Sequence, residues 1–170
     1  MKWLVDGYNV IRRDAELRDR ETGRLEAGRT ALLHLLAGVA RDVRDDFVVV
    51  FDGAHRQGGT PPPARVQAVF SRPPETADDV LRRLAATHRE GAVVVTSDRA
   101  VLDSARRAGA VGVTAEAFLD AVRRPGASDD PADDKDEDDD EEDTPARGPH
   151  RRPSREARAA ARVLRRLAKR

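Results

Sequence analysis

Residues 2–9, Lys2-Trp3-Leu4-Val5-Asp6-Gly7-Tyr8-Asn9, predict a buried strand that ends in a single carboxylate at a glycine turn. Burying a charge is costly, so Asp6 is expected at the mouth of the strand, where Gly7 lets the backbone turn sharply. The same arrangement recurs at residues 47–53 (FVVVFDG) and 92–98 (AVVVTSD), which supply Asp52 and Asp98. Because the carboxyl ends of parallel strands share one edge of a sheet, the three acids are predicted to meet at that edge.

The segments between these strands alternate with them as helices, which predicts an α/β fold with a mainly parallel sheet. Segment 8–17 fits a short helix or a loop, and residues 14–23 are expected to be exposed. The Gly- and Pro-rich segment 54–64 is predicted to be a loop. From hydrophobic spacing and capping residues, helices are predicted over 25–43, 75–90, 99–108 and 115–123, and further strands over 65–70 and 111–114.

Charged residues are segregated along the chain. The 170 residues balance 31 Lys and Arg against 31 Asp and Glu, but residues 129–143 hold twelve acidic groups and residues 151–170 hold nine basic ones. This pattern predicts a domain over 1–124, a disordered acidic linker over 125–150 and a basic helical tail over 151–170. The tail has only a thin apolar stripe, formed by Val163, Leu164 and Leu167, so alone it would be a marginal helix. This basic element is expected to bind a polyanion or a partner surface.

The chain has no cysteine, which excludes disulfides and thiolate metal sites and suits a reducing cytosol. Its first apolar run is too short for a signal peptide, and no stretch approaches the roughly 20 apolar residues of a membrane span. A cytoplasmic location is therefore expected.

Several carboxylates are predicted to lie close together, since Asp78 and Asp79 in a helix first turn add to the three strand-end acids. Such grouping is destabilising through like-charge repulsion, so a site of this kind usually holds a cation. Oxygen-only donors favour Mg²⁺ or Mn²⁺ over Zn²⁺. These ions can activate a water and stabilise the leaving oxygen of a phosphodiester, which is the chemistry of a metal-dependent nuclease.

Each of these residues also has an ordinary structural role. A single Asp after a strand is most often a turn former or helix cap, and an acid in a first helical turn is favoured by the helix dipole. Asp78 shares a helix face with Glu75, whereas Asp79 is rotated by about 100°, so Asp78 is the predicted ligand. Asn9, Thr96 and Ser97 are interpreted either as caps or as groups that contact a bound water or phosphate.

Four motifs in this order resemble the bacterial YacP-like NYN domains of the PIN-like nuclease superfamily: VDGYN at 5–9, FDG at 51–53, ETAD at 75–78 and TSD at 96–98. The resemblance covers residues 1–124. It implies a PIN-like three-layer α/β/α fold and Mg²⁺- or Mn²⁺-dependent endoribonuclease activity, associated in this family with mRNA on translating ribosomes. By motif match it implies catalytic acids at Asp6, Asp78 and Asp98, with Asp52 as a further metal ligand and with Asn9, Glu75, Thr96 and Ser97 as supporting residues. Asp79, which is outside these motifs, is predicted from its position on the helix to face solvent or to support the site.

Basic residues are expected around the acidic edge, because an acidic site repels phosphate unless cations surround it. Tyr8 is interpreted as stacking on an unpaired base or as packing its ring against the core. The basic tail could bind RNA without sequence preference, and the acidic run could fold back to mask it. The candidate RNA-contacting residues are Tyr8, Arg12, Arg13, His55, Arg56, Arg65, Arg72 and Arg99.

Two other function classes compete with the endoribonuclease hypothesis. One is a non-catalytic RNA- or ribosome-binding module whose carboxylates do not assemble. The other is a receiver-type phosphoacceptor domain, which is disfavoured because the first strand supplies only one acid and no lysine follows the last short strand at 110–114.

Overall fold

A parallel five-stranded sheet lies at the centre of the computed structural model, which describes residues 1–21, 25–53, 64–124 and 154–169. The strand order is β3-β2-β1-β4-β5, and every strand pair in the sheet is parallel. The predicted α/β class is therefore confirmed. Most of the predicted 54–64 loop and the whole predicted linker 125–150 lie outside the described residues. The strands are β1 (Lys2–Asp6), β2 (Asp46–Phe51), β3 (Val66–Phe70), β4 (Ala92–Val95) and β5 (Val111–Val113).

Seven α-helices are described on the two sides of this sheet. The long helix predicted over 25–43 is present with those bounds, and the undecided segment 8–17 forms parts of two helices that meet at Asp14. A 3₁₀ turn at Arg89–Gly91 leads into β4. None of the described helices is both long and apolar enough to cross a membrane. The helices are α1 (Gly7–Arg13), α2 (Ala15–Glu21), α3 (Leu25–Val43), α4 (Ala77–His88), α5 (Arg99–Arg107), α6 (Ala115–Arg123) and α7 (Arg155–Ala168).

Alternate residues of the strands enter two separate hydrophobic cores, which gives three layers. On one face Trp3 is fully buried and packs on Phe47 and Phe118, with ring centroids 5.8 and 5.7 Å apart, among residues of α1, α3, α6 and α7. On the other face Leu4 packs among residues of α4 and α5. The three-layer α/β/α arrangement that the resemblance implies is therefore present, and the prediction that Trp3 lies in the core is confirmed.

The expectation that residues 14–23 are exposed is wrong at Asp14. This carboxylate is only 8% exposed, caps α2 through the Leu17 N–H, and accepts two 2.8 Å hydrogen bonds from Arg123 of α6. The bidentate pair is 109 residues apart in sequence, so no local pattern could indicate it.

The tail helix α7 packs its apolar stripe against the domain itself. Val163 and Leu167 are buried in the same core as Trp3. Asp45, just before β2, accepts a 2.7 Å hydrogen bond from Arg166 of α7 and one of 3.1 Å from the Trp3 indole N–H. The partner surface that the sequence left open for this stripe is therefore part of the same chain.

Replacing Asp45 with Asn is expected to lower the free energy of unfolding by roughly 1–3 kcal/mol, because the buried carboxylate pairs both with Arg166 and with the α-amine of Met1. Asp46 is the matched control: its ion pair with Arg65 is exposed at 3.4 Å, so Asp46→Asn should change stability by less than about 0.5 kcal/mol. Urea unfolding of both variants measures the difference. Equal stabilities would contradict the role assigned to Asp45.

Candidate active site

The candidate site lies where the sheet changes its winding direction. β1 and β4 are neighbours, but α1, which follows β1, packs on the Trp3 face, whereas α5, which follows β4, packs on the Leu4 face. Chains that leave neighbouring strands in opposite directions open a crevice at the carboxyl ends, the usual ligand site of open α/β sheets. The register pairs Val5 with Val95, so Asp6 and Thr96 follow side by side at this crevice.

Gly7 is required here for close packing and not for a sharp turn, which corrects the sequence interpretation. It is the first residue of α1, and a Cβ at this position would lie 2.2 Å from a ring atom of Phe51. The absence of a side chain therefore allows α1 to start directly against β2. This close approach fixes Asp6 at the entrance of the crevice.

Asp6 is held by two hydrogen bonds and is only partly exposed. Its Oδ1 accepts from the Asn9 N–H at 3.1 Å, which caps α1, and its Oδ2 accepts from the Thr96 hydroxyl at 3.0 Å. Burial raises the pKa of Asp6 above the ordinary aspartate value, and the charge of Asp78 adds to this, while the two hydrogen bonds oppose it. The carboxylate is thus held in one orientation, and burial disfavours its charged form.

The polar residues after β4 connect the two sides of the crevice. The Asn9 side-chain oxygen accepts from the Ser97 N–H at 3.0 Å, and the buried Thr96 hydroxyl accepts from the Asp98 N–H at 3.2 Å. Ser97 donates to Glu116 of α6 at 2.7 Å, a contact across 19 residues that the motif gave no sign of. Asn9, Thr96 and Ser97 therefore hold the loop that carries Asp98, whose own Oδ1 caps α5 at the Val101 N–H.

Asp79 and Asp78 have different roles in the first turn of α4. Asp79 forms a capping box with Thr76: its carboxylate accepts from the Thr76 N–H and hydroxyl, and these bonds lower its pKa. Asp78 is left to face the crevice, and its one ion pair with another described residue is with Arg82, at 3.7 Å. Glu75 was expected to share a helix face with Asp78. Instead it precedes α4 and forms an ion pair with Arg83 at 3.0 Å.

Three of the predicted acids border one cavity of about 320 Å³. Burial raises the pKa of Asp78, and the charges of Asp98 and Asp52 raise it further. The charge of Asp78 in turn raises the pKa of Asp6, so the four acids interact electrostatically around this cavity. Asp98 lies near Asp78 without lining the cavity itself. The residues that line it are Asp6, Tyr8, Asn9, Arg12, Asp52, Thr76, Ala77 and Asp78.

These donors fit a hydrated divalent cation better than a tightly ligated one. Within the described residues, no three His, Asp or Glu side chains lie close enough together to ligate one ion. Mg²⁺ commonly keeps several waters and takes only one or two carboxylates from the protein. The all-oxygen donor set and the mutual repulsion of Asp78 with its neighbours match that type of site.

Ser71 orients Asp52 and was not recognised in the sequence. Ser71 is only 2% exposed, and its hydroxyl donates to Asp52 at 2.5 Å and accepts from the Gly53 N–H at 3.2 Å. Asp52 itself is exposed beyond the end of β2. A single serine after a predicted strand carries no sequence signal for this contact.

Tyr8 is anchored by its ring and by its hydroxyl. The ring packs edge-on against Phe51 at 5.4 Å, and the hydroxyl accepts a 2.8 Å hydrogen bond from Arg29 of α3. The Arg29 guanidinium also lies over the rings of Tyr8 and Phe70, 5.2 and 5.3 Å from their centroids. Tyr8 thus packs against the core and also lines the cavity, and Arg29 is a further residue that the sequence did not reveal.

The candidate basic residues occupy different regions. Arg12 lines the cavity, and Arg72 and Arg99 are exposed at the same edge of the sheet. Arg13 forms an ion pair with Glu116. The placement of Arg65 at this edge is wrong, because it precedes β3 and contacts Asp46 at the opposite edge. His55 and Arg56 lie outside the described residues.

Comparisons with known proteins find a matching family and similar structures. The model of the YacP-like NYN domain family matches residues 3–164. The chain is 34% identical over 85 residues to the uncharacterized protein YacP of Bacillus subtilis (strain 168), a match that covers 48% of this chain and about half, 49%, of that relative. Two crystal structures of Rae1 (YacP) from Bacillus subtilis, one of them a mutant, are similar with TM-scores of 0.61, at 29% and 28% identity, and each match covers 72% of this chain and 74% of the other.

Proposed function

The chain belongs to the YacP-like NYN domain family, a group of nuclease-type domains, and from this premise we propose that it is a metal-dependent endoribonuclease. It would hydrolyse phosphodiester bonds of RNA, with mRNA on the ribosome as the substrate, and leave 5′-phosphate and 3′-hydroxyl ends. The observation that supports this most is the convergence of Asp6, Asp52 and Asp78 on one cavity, with Asp98 near enough to raise the pKa of Asp78.

Asp6 and Asp78 are the residues that would hold Mg²⁺ or Mn²⁺, with Asp52 and Asp98 as the other acids of the metal site. When bound, such an ion lowers the pKa of a water and neutralises charge that develops on the phosphate. Asp6 is suited to this role because Thr96 and the Asn9 N–H fix its orientation.

The residues around the cavity would bind and orient the RNA. Arg12 lines the cavity and offsets the negative charge of Asp6, which lets a phosphate approach. Arg72 and Arg99 extend this positive rim. The Tyr8 ring borders the same space and offers a face or an edge to an unpaired base.

A second candidate function is a non-catalytic RNA-binding module, and one observation favours it. Asp6 and Asp98 both serve as helix N-caps, which is a sufficient structural reason for each. A site of this kind would bind RNA without cutting it. The difference between the two candidates is therefore whether divalent cations produce cleavage.

We expect cleavage of a labelled single-stranded RNA by the purified protein with Mg²⁺ or Mn²⁺ and none with EDTA. Asp6→Asn should abolish it, while the melting temperature stays close to that of the wild type because the Asn carbonyl can still accept from the Asn9 N–H. End-group analysis should show 3′-hydroxyls. Equal cleavage by the two proteins, or cleavage in EDTA, would count against the proposal and favour the binding module.

A further inference from the structure

The tail helix α7 carries a continuous stripe of cations on its outer side. Its members follow one another at spacings of three or four residues, so they occupy a sector of roughly 80° around the helix and extend over about 21 Å. All five side chains are exposed. We call this set the basic stripe: Arg155, Arg158, Arg162, Arg165 and Lys169.

The basic stripe points away from the domain because the opposite side of α7 is fixed. Val163 and Leu167 are buried, and Arg166 and Glu156 form ion pairs with Asp45 and Arg106, respectively. In the part of the chain that the structure describes, no side chain of the basic stripe has an ion-pair partner. The helix thus holds in a fixed row five cations that form no ion pair with the described residues.

This row lies at the opposite edge of the sheet from the candidate active site. One end of α7 contacts Asp45, which precedes β2, and the other end borders a cavity with Ala110 and Val111 at the start of β5. Both contacts are at the amino ends of the strands, whereas the acidic cavity is at the carboxyl ends. One RNA could therefore occupy the stripe while a single strand enters the cavity.

We infer that the basic stripe is a second RNA-binding surface that takes the phosphate backbone of a double-stranded, A-form segment. Arginine forks pair well with phosphate oxygens, and a rigid row of them suits an evenly spaced row of phosphates. An anionic membrane is a poorer partner, because an interfacial helix inserts its apolar side, which in α7 is already buried in the core. The choice of RNA over another nucleic acid rests on the proposed function.

The test compares the wild type with the triple variant Arg158→Gln, Arg162→Gln, Arg165→Gln, which leaves the α7 cap and the Arg166 ion pair intact. Binding to a labelled RNA duplex of about 20 base pairs is measured by fluorescence anisotropy in EDTA, so cleavage plays no part. A control triple variant, Arg41→Gln, Arg107→Gln, Arg124→Gln, removes the same charge from exposed positions outside the stripe. Melting temperatures establish that each variant is folded.

The stripe variant is expected to bind the duplex roughly tenfold more weakly, with a salt-dependence slope lower by about three, and the control variant to bind like the wild type. Two results of the duplex measurement would overturn the inference: an affinity of the stripe variant within about twofold of the wild type, or an equal loss of affinity in both variants. Binding of the protein to phosphatidylglycerol vesicles but not to RNA would overturn it as well. The duplex-binding measurement needs no metal ion and no cleavage. It therefore tests the basic stripe even if the protein proves to have no nuclease activity.

Discussion

Asp78→Asn is expected to lower the rate of RNA cleavage roughly a hundredfold or more without making the domain less stable. Burial and the charges of Asp98 and Asp52 raise the pKa of Asp78, so its ionised form opposes folding. A carboxyl whose pKa is raised by folding contributes stability below its unfolded pKa and loses it as pH rises through the folded pKa. At neutral pH the neutral Asn therefore removes a repulsion, and only the 3.7 Å ion pair with the half-exposed Arg82 is lost.

Asp79→Asn is the matched control, one residue along the same helical turn. Asp79 belongs to the capping box of α4 and faces solvent, so its variant should cut RNA at nearly the wild-type rate and lose only a little stability. Cleavage assays and thermal unfolding in EDTA separate the two. A large loss of cleavage in both variants, or unfolding of Asp78→Asn, would contradict the division of roles between these acids.

Gly7→Ala is expected to have the largest effect on stability, a loss of about 2–3 kcal/mol or more. The added Cβ would lie 2.2 Å from one Phe51 ring atom and 2.5 Å from the next, and Phe51 is fully buried, so α1 must shift away from β2. Urea unfolding monitored by circular dichroism measures the loss. Since Asp6 is the N-cap of α1, a shift of this helix should displace its carboxylate, and cleavage should fall as well.

Two further variants show whether the clash is the cause. Gly38→Ala adds the same methyl group in α3, where nothing lies within 4 Å, and should stabilise the protein by about 0.5–1 kcal/mol through helix propensity. Phe51→Leu makes room beside Gly7, so Gly7→Ala should cost clearly less in that background. A Gly7→Ala cost that is unchanged by Phe51→Leu would contradict the packing explanation.

The sequence predicted the parts of the fold that local patterns encode. Helical spacing located α3 with its bounds, and the three apolar runs that end in Asp located β1, β2 and β4. Contacts between distant segments were not predictable, because no periodicity links Asp14 to Arg123 or Asp45 to Arg166. For the same reason the sequence did not predict that the apolar stripe of α7 packs into the core of the domain.

At the site, the sequence indicated the acids together with Asn9, Thr96 and Ser97, but not the further residues that orient the site from other elements. The shared edge of parallel strands predicts that Asp6, Asp52 and Asp98 meet there. Of these three, Asp6 and Asp52 line the cavity, where Asp78 of α4 joins them, while Asp98 lies near Asp78 without lining the cavity. Ser71, Arg29 and Glu116 were missed, since each acts on a residue of the site from another element. The position of Arg65 was mistaken because the residue that precedes a strand lies at the amino edge of a parallel sheet.

The capping role of Asp6 and Asp98 has a consequence for how this family can diverge. Asparagine keeps the carbonyl that accepts the cap hydrogen bond but carries no charge for a cation. A descendant with Asn at either position would therefore keep its architecture but lose the proposed metal-dependent cleavage. Relatives that bind nucleic acid without cutting it should thus be recognisable by asparagine at these two positions in an otherwise unchanged fold.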